Sequence, residues 1–180
     1  PSNEEKKVFA EIPTCVTLVD IVLNELPNEV WESINKIIEP CCGKGNIVLG
    51  IFDKFYNNLN HITDIKEKCR IIIEECIYYA DLSALNVWIT TILLKCHAKM
   101  YIRLEYEKKY TEEKLEKMID QVYTFNSYIG NTLELDIHSH TTWNINNFDA
   151  VIYNPPYNLK NKNGKTKQGS SKLYTQFMKK

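Results

Sequence analysis

The stretch FDAVIYNPPYN, residues 148–158, sets Asn154-Pro155-Pro156-Tyr157 directly after a short apolar run. Two adjacent prolines fix φ, remove backbone donors and push Asn154 toward extended geometry, so a strand arriving there must stop abruptly on a stiff loop. Residues of these types on such a loop suit a particular chemistry. An exocyclic amine conjugated into a purine is a poor nucleophile, because its lone pair is delocalised into the ring. Acceptors placed on its hydrogens, here the Asn154 side-chain oxygen and the Pro155 carbonyl, favour pyramidalisation. They return electron density to nitrogen as it attacks an electrophilic methyl group. Tyr157 can stack on the base face, as enzymes hold a nucleotide extruded from its helix. Read without that chemistry, the same residues form a turn built on Pro-Pro.

Other junctions carry candidates of their own. In EPCCGKGN, residues 39–46, small residues stand where a backbone must approach a ligand closely before a helix begins. Free N–H groups there suit phosphate or carboxylate. The stretch has neither Walker spacing nor a full G-x-G-x-x-G. Asp81 closes CIYYAD, where a carboxylate can accept from both ribose hydroxyls or simply sit favourably at a helix start. Asn131, in GNTL, can recognise an adenine amino group or hold a turn. Position alone leaves these pairs of readings open.

The cysteines at the first junction, Cys41 and Cys42, are poor candidates for a nucleophile. Carbon-5 cytosine methylation normally uses a Pro-Cys in the fourth-strand motif, where this chain has Asn154-Pro155. His138 and His140 form an H-x-H in a polar connection with no third ligand evident, which reads as an ordinary exposed turn.

The elements that must position these residues follow from periodicity. Cys15, Leu18, Val19, Val22, Leu23 and Leu26 mark an amphipathic helix that Pro27 closes, and a second short helix is expected over 28–35. KIIEP, 36–40, reads as a buried strand, followed by the glycine turn and a helix through NIVLGIFDKF. Residues 62–75 look helical and 76–81 form a second strand. The next helix, 83–100, carries Leu85, Ile89, Ile92, Leu93, Cys96 and Met100 on one face. Thr111 can cap a further helix with the stripe Leu115, Met118, Ile119 and Val122. YTFNSYIG and FDAVIY supply strands three and four.

Strands alternating with helices predict an α/β fold, a mainly parallel three-layer sheet, with ligands bound beyond the carboxyl ends of the strands near the switch in strand order. Glu39 to Gly45, Asp81, Asn131 and Asn154 to Tyr157 all fall at such ends. That coincidence carries more weight than any one motif.

Composition sets the bounds. With 180 residues, 44% of them hydrophobic, the chain can bury one respectable core. A formal charge of −1 and a pI near 6.5 give no global attraction to nucleic acid or anionic membranes, so a polyanion would have to meet a local basic patch. Lys160, Lys162, Lys165, Lys167 and Lys172, among glycines and serines, make such a patch or a plain surface loop. The six cysteines show no C-x-x-C spacing and read as reduced intracellular thiols. No secretory signal or membrane-spanning run appears, which predicts a soluble, intracellular protein with no membrane partner.

Taken together, the motifs resemble the amino-terminal part of S-adenosylmethionine-dependent DNA adenine-N6 methyltransferases, of the group whose cofactor-carboxylate motif precedes the glycine loop. EIPTCVTLVDIVLNELP resembles that group's opening helix motif. EPCCGKGN resembles its Asp-Pro-Ala-Cys-Gly-Ser-Gly-Asn loop, and YYADLSALNVW its second acidic motif. GNTL resembles its adenine-contacting motif, and NPPY is its catalytic tetrapeptide. Cys15 stands where proline is usual, Glu39 where aspartate is commoner, and Asn131 where aspartate is often found.

The resemblance implies a Rossmann-like methyltransferase domain over 1–180, with an amino-terminal helical segment, 1–35, and a core, 36–180. S-adenosylmethionine is the implied cofactor. Thr14, Glu39, Pro40, Cys42, Gly43 and Gly45 would surround its methionine end, Asp81 and Leu82 its ribose, and Asn131 and Thr132 its adenine. Asn154, beside the cofactor, would act with Pro155, Pro156 and Tyr157 on a flipped adenine in DNA. Because the chain opens on Pro1 and stops about one helix after the tetrapeptide, it is expected to be a truncated piece or one half of a split protein. Target recognition would then come from a carboxyl-terminal region or a separate chain. Methylation of a protein glutamine or an RNA guanine, and a non-catalytic remnant that binds cofactor or assembles with a partner, are the alternatives.

Overall fold

The computed structural model describes residues 14–154. Four strands, β1 (Ile37–Glu39), β2 (Ile77–Asp81), β3 (Asn126–Ile129) and β4 (Ala150–Val151), form one sheet in the order β3-β2-β1-β4. Every pair is parallel, as the alternation of strands and helices predicts. The chain runs outward from β1 through β2 to β3 and then returns to the other side of β1. The switch in strand order therefore lies between β1 and β4, the place where sheets of this kind bind ligands beyond the carboxyl ends of their strands.

Successive side chains of a strand face opposite sides, and the two sides of this sheet are covered differently. Ile37, Ile77 and Tyr79 belong to the large core with helices α1 (Val16–Asn24), α2 (Asn46–Asn58), α3 (Ile65–Ile71), α4 (Ala84–Tyr106) and α5 (Glu112–Ile119). Ile38 and Tyr78 face the other way, under Trp143, Ile145 and Phe148 and the one-turn helix α6 (Ile137–His140). Among the described residues this second cover is thin. Trp143 meets Tyr78 edge-on at 5.2 Å, and Phe148 meets it at 5.3 Å.

α1 packs on α2 through Gly50. A Cβ built there would lie 2.5 Å from Val19 Cγ1 and 2.8 Å from Leu23 Cδ1, so the approach depends on the missing side chain. Val19 and Leu23 are the buried members of the predicted stripe, while Cys15 and Leu18 face solvent.

Three expectations need correction. The helix over 28–35 is only a 3-10 turn, Asn28–Val30, because Trp31 turns in to meet Phe55 edge-on at 5.3 Å. The face assigned to α4 is wrong: Leu85, Ile92, Leu93, Cys96 and Met100 are exposed, and the helix buries Asn86, Val87, Thr90, Leu94, Ala98 and Ile102. Apolar residues ring this helix, so hydrophobicity has no strong direction and the neighbouring elements choose the side. On α5, Leu115 and Ile119 are buried as expected, but Val122 lies beyond the helix and is exposed.

Candidate active site at the carboxyl ends of the strands

β1 ends in Glu39, and period two puts its side chain on the helical side with Ile37. Glu39 is 2% exposed, and its Oε2 has no hydrogen-bond partner among the described residues. Burial, reinforced by the nearby Asp81 carboxylate, holds its carboxyl well above the usual glutamate range. A buried carboxylate oxygen in that state calls for a cationic or hydrogen-donating partner.

The turn after β1 is held from two directions. Cys42 N–H donates to Ala80 O at 2.9 Å, and Gly43 N–H donates to Asp81 Oδ2 at 2.9 Å. Gly43 and Gly45 have positive φ, 51° and 85°, which returns the chain into α2. Gly45 also has Thr90 behind it: a Cβ would meet Thr90 Cγ2 and Oγ1 at 3.0 Å. The Thr90 hydroxyl, wholly buried, donates to Gly43 O at 3.2 Å.

Asp81 is a junction. Its Oδ1 accepts from Ser83 N–H at 2.8 Å and from Asn86 Nδ2 at 3.2 Å, while Oδ2 takes Gly43 N–H. One carboxylate thus ties the glycine turn to the start of α4. Three of its roughly four acceptor positions are used, leaving room for about one further donor. Leu82, next in the chain, is exposed.

Asn131 makes an Asx turn beyond β3. Its Oδ1 accepts from Leu133 N–H at 3.2 Å and its Nδ2 donates to Glu134 Oε1 at 2.7 Å. The Thr132 hydroxyl donates to Pro40 O at 3.0 Å, which joins this turn to the β1 junction 92 residues earlier. Pro40 itself is buried.

β4 places Asn154. Asp149 brackets the start of the strand, its Oδ2 accepting from Lys36 N–H at 2.7 Å and its N–H donating to Lys36 O at 2.8 Å. Ile38 then pairs with Val151, which carries Asn154 past the end of β1. There Asn154 Nδ2 donates to Thr14 Oγ1 at 3.1 Å, and Thr14 O accepts from Asn46 Nδ2 at 2.6 Å. Asn46 follows Gly45 directly, so the catalytic-loop candidate and the glycine turn meet through Thr14.

The structure therefore gathers Thr14, Glu39, Pro40, Cys42, Gly43, Gly45, Asp81, Thr132 and Asn154 around the strand ends, with Leu82 and Asn131 at the rim. Pro155, Pro156 and Tyr157, and the lysines at 160, 162, 165, 167 and 172, lie outside the described residues. Sequence reasoning missed Asn46, Ser83, Asn86 and Thr90. For the last three a signal existed, since polar residues at i, i+3 and i+7 share one face of an otherwise apolar helix.

The thiols are quiet. All six cysteines are free. Burial, with Glu39 adding to it, pushes the Cys41 thiol up to about 12, and burial raises Cys42 as well, so neither supplies thiolate at neutral pH. His138 is exposed on α6, and His140 Nδ1 accepts from Asp136 N–H at 3.2 Å.

The parallel sheet, its switch point and the junctions around it define a Rossmann-like methyltransferase fold. Residues 75–180 match the Eco57I restriction-modification methylase family, and the chain belongs to it. It is similar to the crystal structure of a modification subunit of a putative type I restriction enzyme from Vibrio vulnificus YJ016. The TM-score is 0.52 and the identity 13%, over 94% of this chain and 29% of that one. At that identity the likeness concerns the fold alone, and the chain spans less than a third of that subunit. No curated protein matches the chain. No helix among the described residues is long and apolar enough to cross a membrane.

Proposed function

We propose that this chain carries the cofactor-binding and catalytic portion of a DNA adenine-N6 methyltransferase that uses S-adenosylmethionine. The observation that carries the reading is the contact of Asn154 with Thr14, beside the turn that Asp81 clasps. It sets the amide that would receive the amine at the edge of the pocket that would receive the cofactor. Membership of a restriction-modification methylase family supports DNA as the substrate.

The residues fit the cofactor. Glu39, buried with an unpartnered oxygen, suits an ammonium group, and the remaining acceptor position of Asp81 suits a ribose hydroxyl. Thr14 and the Gly43–Gly45 turn would hold the methionine end, and Asn131 and Thr132 would flank the adenine. When bound, the cofactor supplies a methyl group on a positively charged sulfur.

The chain's own part is to make nitrogen reactive. Asn154 Oδ1 and the Pro155 carbonyl would accept hydrogen bonds from the two amine N–H groups, drawing the nitrogen lone pair out of conjugation toward the methyl group. As the nitrogen–carbon bond forms, the sulfur–methyl bond would break to leave a neutral thioether, and the cationic nitrogen would lose one proton to solvent. Pro156 would limit the backbone freedom of that loop and Tyr157 would stack on the flipped base. The lysines from 160 to 172 would meet phosphates, with target recognition supplied by a further region or a separate chain.

Calorimetry with S-adenosylmethionine and mass spectrometry of nucleosides from treated DNA test the proposal. Cofactor binding and N6-methyladenine, with transfer abolished but binding kept in Asn154→Ala, are expected. Cofactor binding without methylated DNA, or with methylated glutamine or guanine instead, overturns it.

A further inference from the structure

Resting on the methyl-transfer reading above, we infer that Thr14 is a positioning residue that anchors the Asn154 side-chain amide, fixing the plane and reach with which it meets the target amine. An asparagine amide is nearly symmetric in shape but opposite in chemistry at its two ends. Its oxygen can accept from an amine, whereas its nitrogen meets the same amine donor to donor. A loop asparagine that turns freely about its last torsion would hold its amide plane out of line part of the time, because that torsion is broad and roughly two-fold.

The structure supplies a restraint. Asn154 Nδ2 donates to Thr14 Oγ1 at 3.1 Å across 140 residues of chain, which directs Oδ1 to the opposite edge of the planar amide. A threonine hydroxyl can donate as well as accept, so its contribution is to hold the plane and reach of the amide. The anchor is itself held. Thr14 O takes Asn46 Nδ2 at 2.6 Å, and the helix that follows Thr14 is seated on α2 by the close approach at Gly50. Thr14 thus restrains the side chain of Asn154. The same threonine stands beside the glycine turn, so it links the two halves of the reaction centre.

The side-chain amide protons of Asn154 report on this directly in nitrogen-15 spectra of the full chain, where their absence in Asn154→Asp identifies them. Thr14→Val, close in shape but without the oxygen, is expected to shift that proton pair, and Thr14→Ser to restore it. A pair that ignores Thr14→Val overturns the proposal. In transfer assays at saturating S-adenosylmethionine, Thr14→Val is expected to lower kcat about tenfold, the equivalent of one hydrogen bond, over and above any loss of cofactor affinity from the contact assigned to Thr14 above. Thr14→Ser is expected to recover the rate. Reduced affinity with kcat unchanged at saturating cofactor would make Thr14 a cofactor ligand only and also overturn the proposal. If the parent chain methylates no adenine at all, the functional reading fails, while the amide spectrum still decides the Thr14–Asn154 link.

Discussion

Gly43 N–H donates to Asp81 Oδ2 at 2.9 Å, so the turn that ends β1 hangs from the residue that ends β2. The carboxylate that would recognise a ribose is thus also the clasp of the loop that would hold the other end of the cofactor. The turn after β1 and the start of α4 share one side chain.

Asp81→Ala should therefore do more than remove a ligand contact. It frees Gly43 N–H, Ser83 N–H and the Asn86 amide together. The expected result is a loss of about 2 kcal/mol of folding stability, the scale of hydrogen bonds to a charged group, together with loss of S-adenosylmethionine binding. Urea unfolding and calorimetry measure the two. Unchanged stability would show that the clasp contributes nothing to the fold.

Glu39 makes stability depend on pH. Its carboxyl titrates higher in the folded chain than in the unfolded one, because burial and then Asp81 favour the neutral form. Above the ordinary glutamate value the folded state holds the extra proton, so stability falls as pH rises through that window. Glu39→Gln should flatten this slope and be the more stable protein at the upper end. Urea midpoints from about pH 5 to about pH 8 provide the comparison. Equal slopes in the two proteins would contradict the burial argument.

Gly45→Ala meets two obstacles: a φ of +85° and Thr90 atoms 3.0 Å from the new Cβ. A melting temperature lowered by the equivalent of about 1–2 kcal/mol is expected from the conformation alone. Thr90→Ser in the same chain removes one of the crowding atoms and should return only part of the loss. Full recovery would mean that the backbone conformation adds no strain.

The corrected face of α4 is open to a simple comparison. Leu94→Ala, in the core, is expected to cost about 2–5 kcal/mol, whereas Trp88→Gln, at a residue 62% exposed, should change stability by less than about 0.5 kcal/mol. Denaturant titration of both variants suffices. A larger cost at Trp88 than at Leu94 would place the helix the other way round.

Much of this protein was determined by its sequence alone. The branched run closed by Pro40 and the glycine turn announced β1, and the aromatic and branched run CIYYAD announced β2. Their ends marked Glu39 and Asp81, because periodicity and backbone punctuation are local properties of the chain. The side of α4 that is buried was not legible, since apolar residues surround that helix and only the packed neighbours select Thr90 and Leu94. Nor were the strand order, which places β4 against β1, and the meeting of Thr14 with Asn154. Those depend on pairings between residues far apart in the chain, and they exist only once the sheet has formed and brought Thr14 and Asn154 together beyond the end of β1.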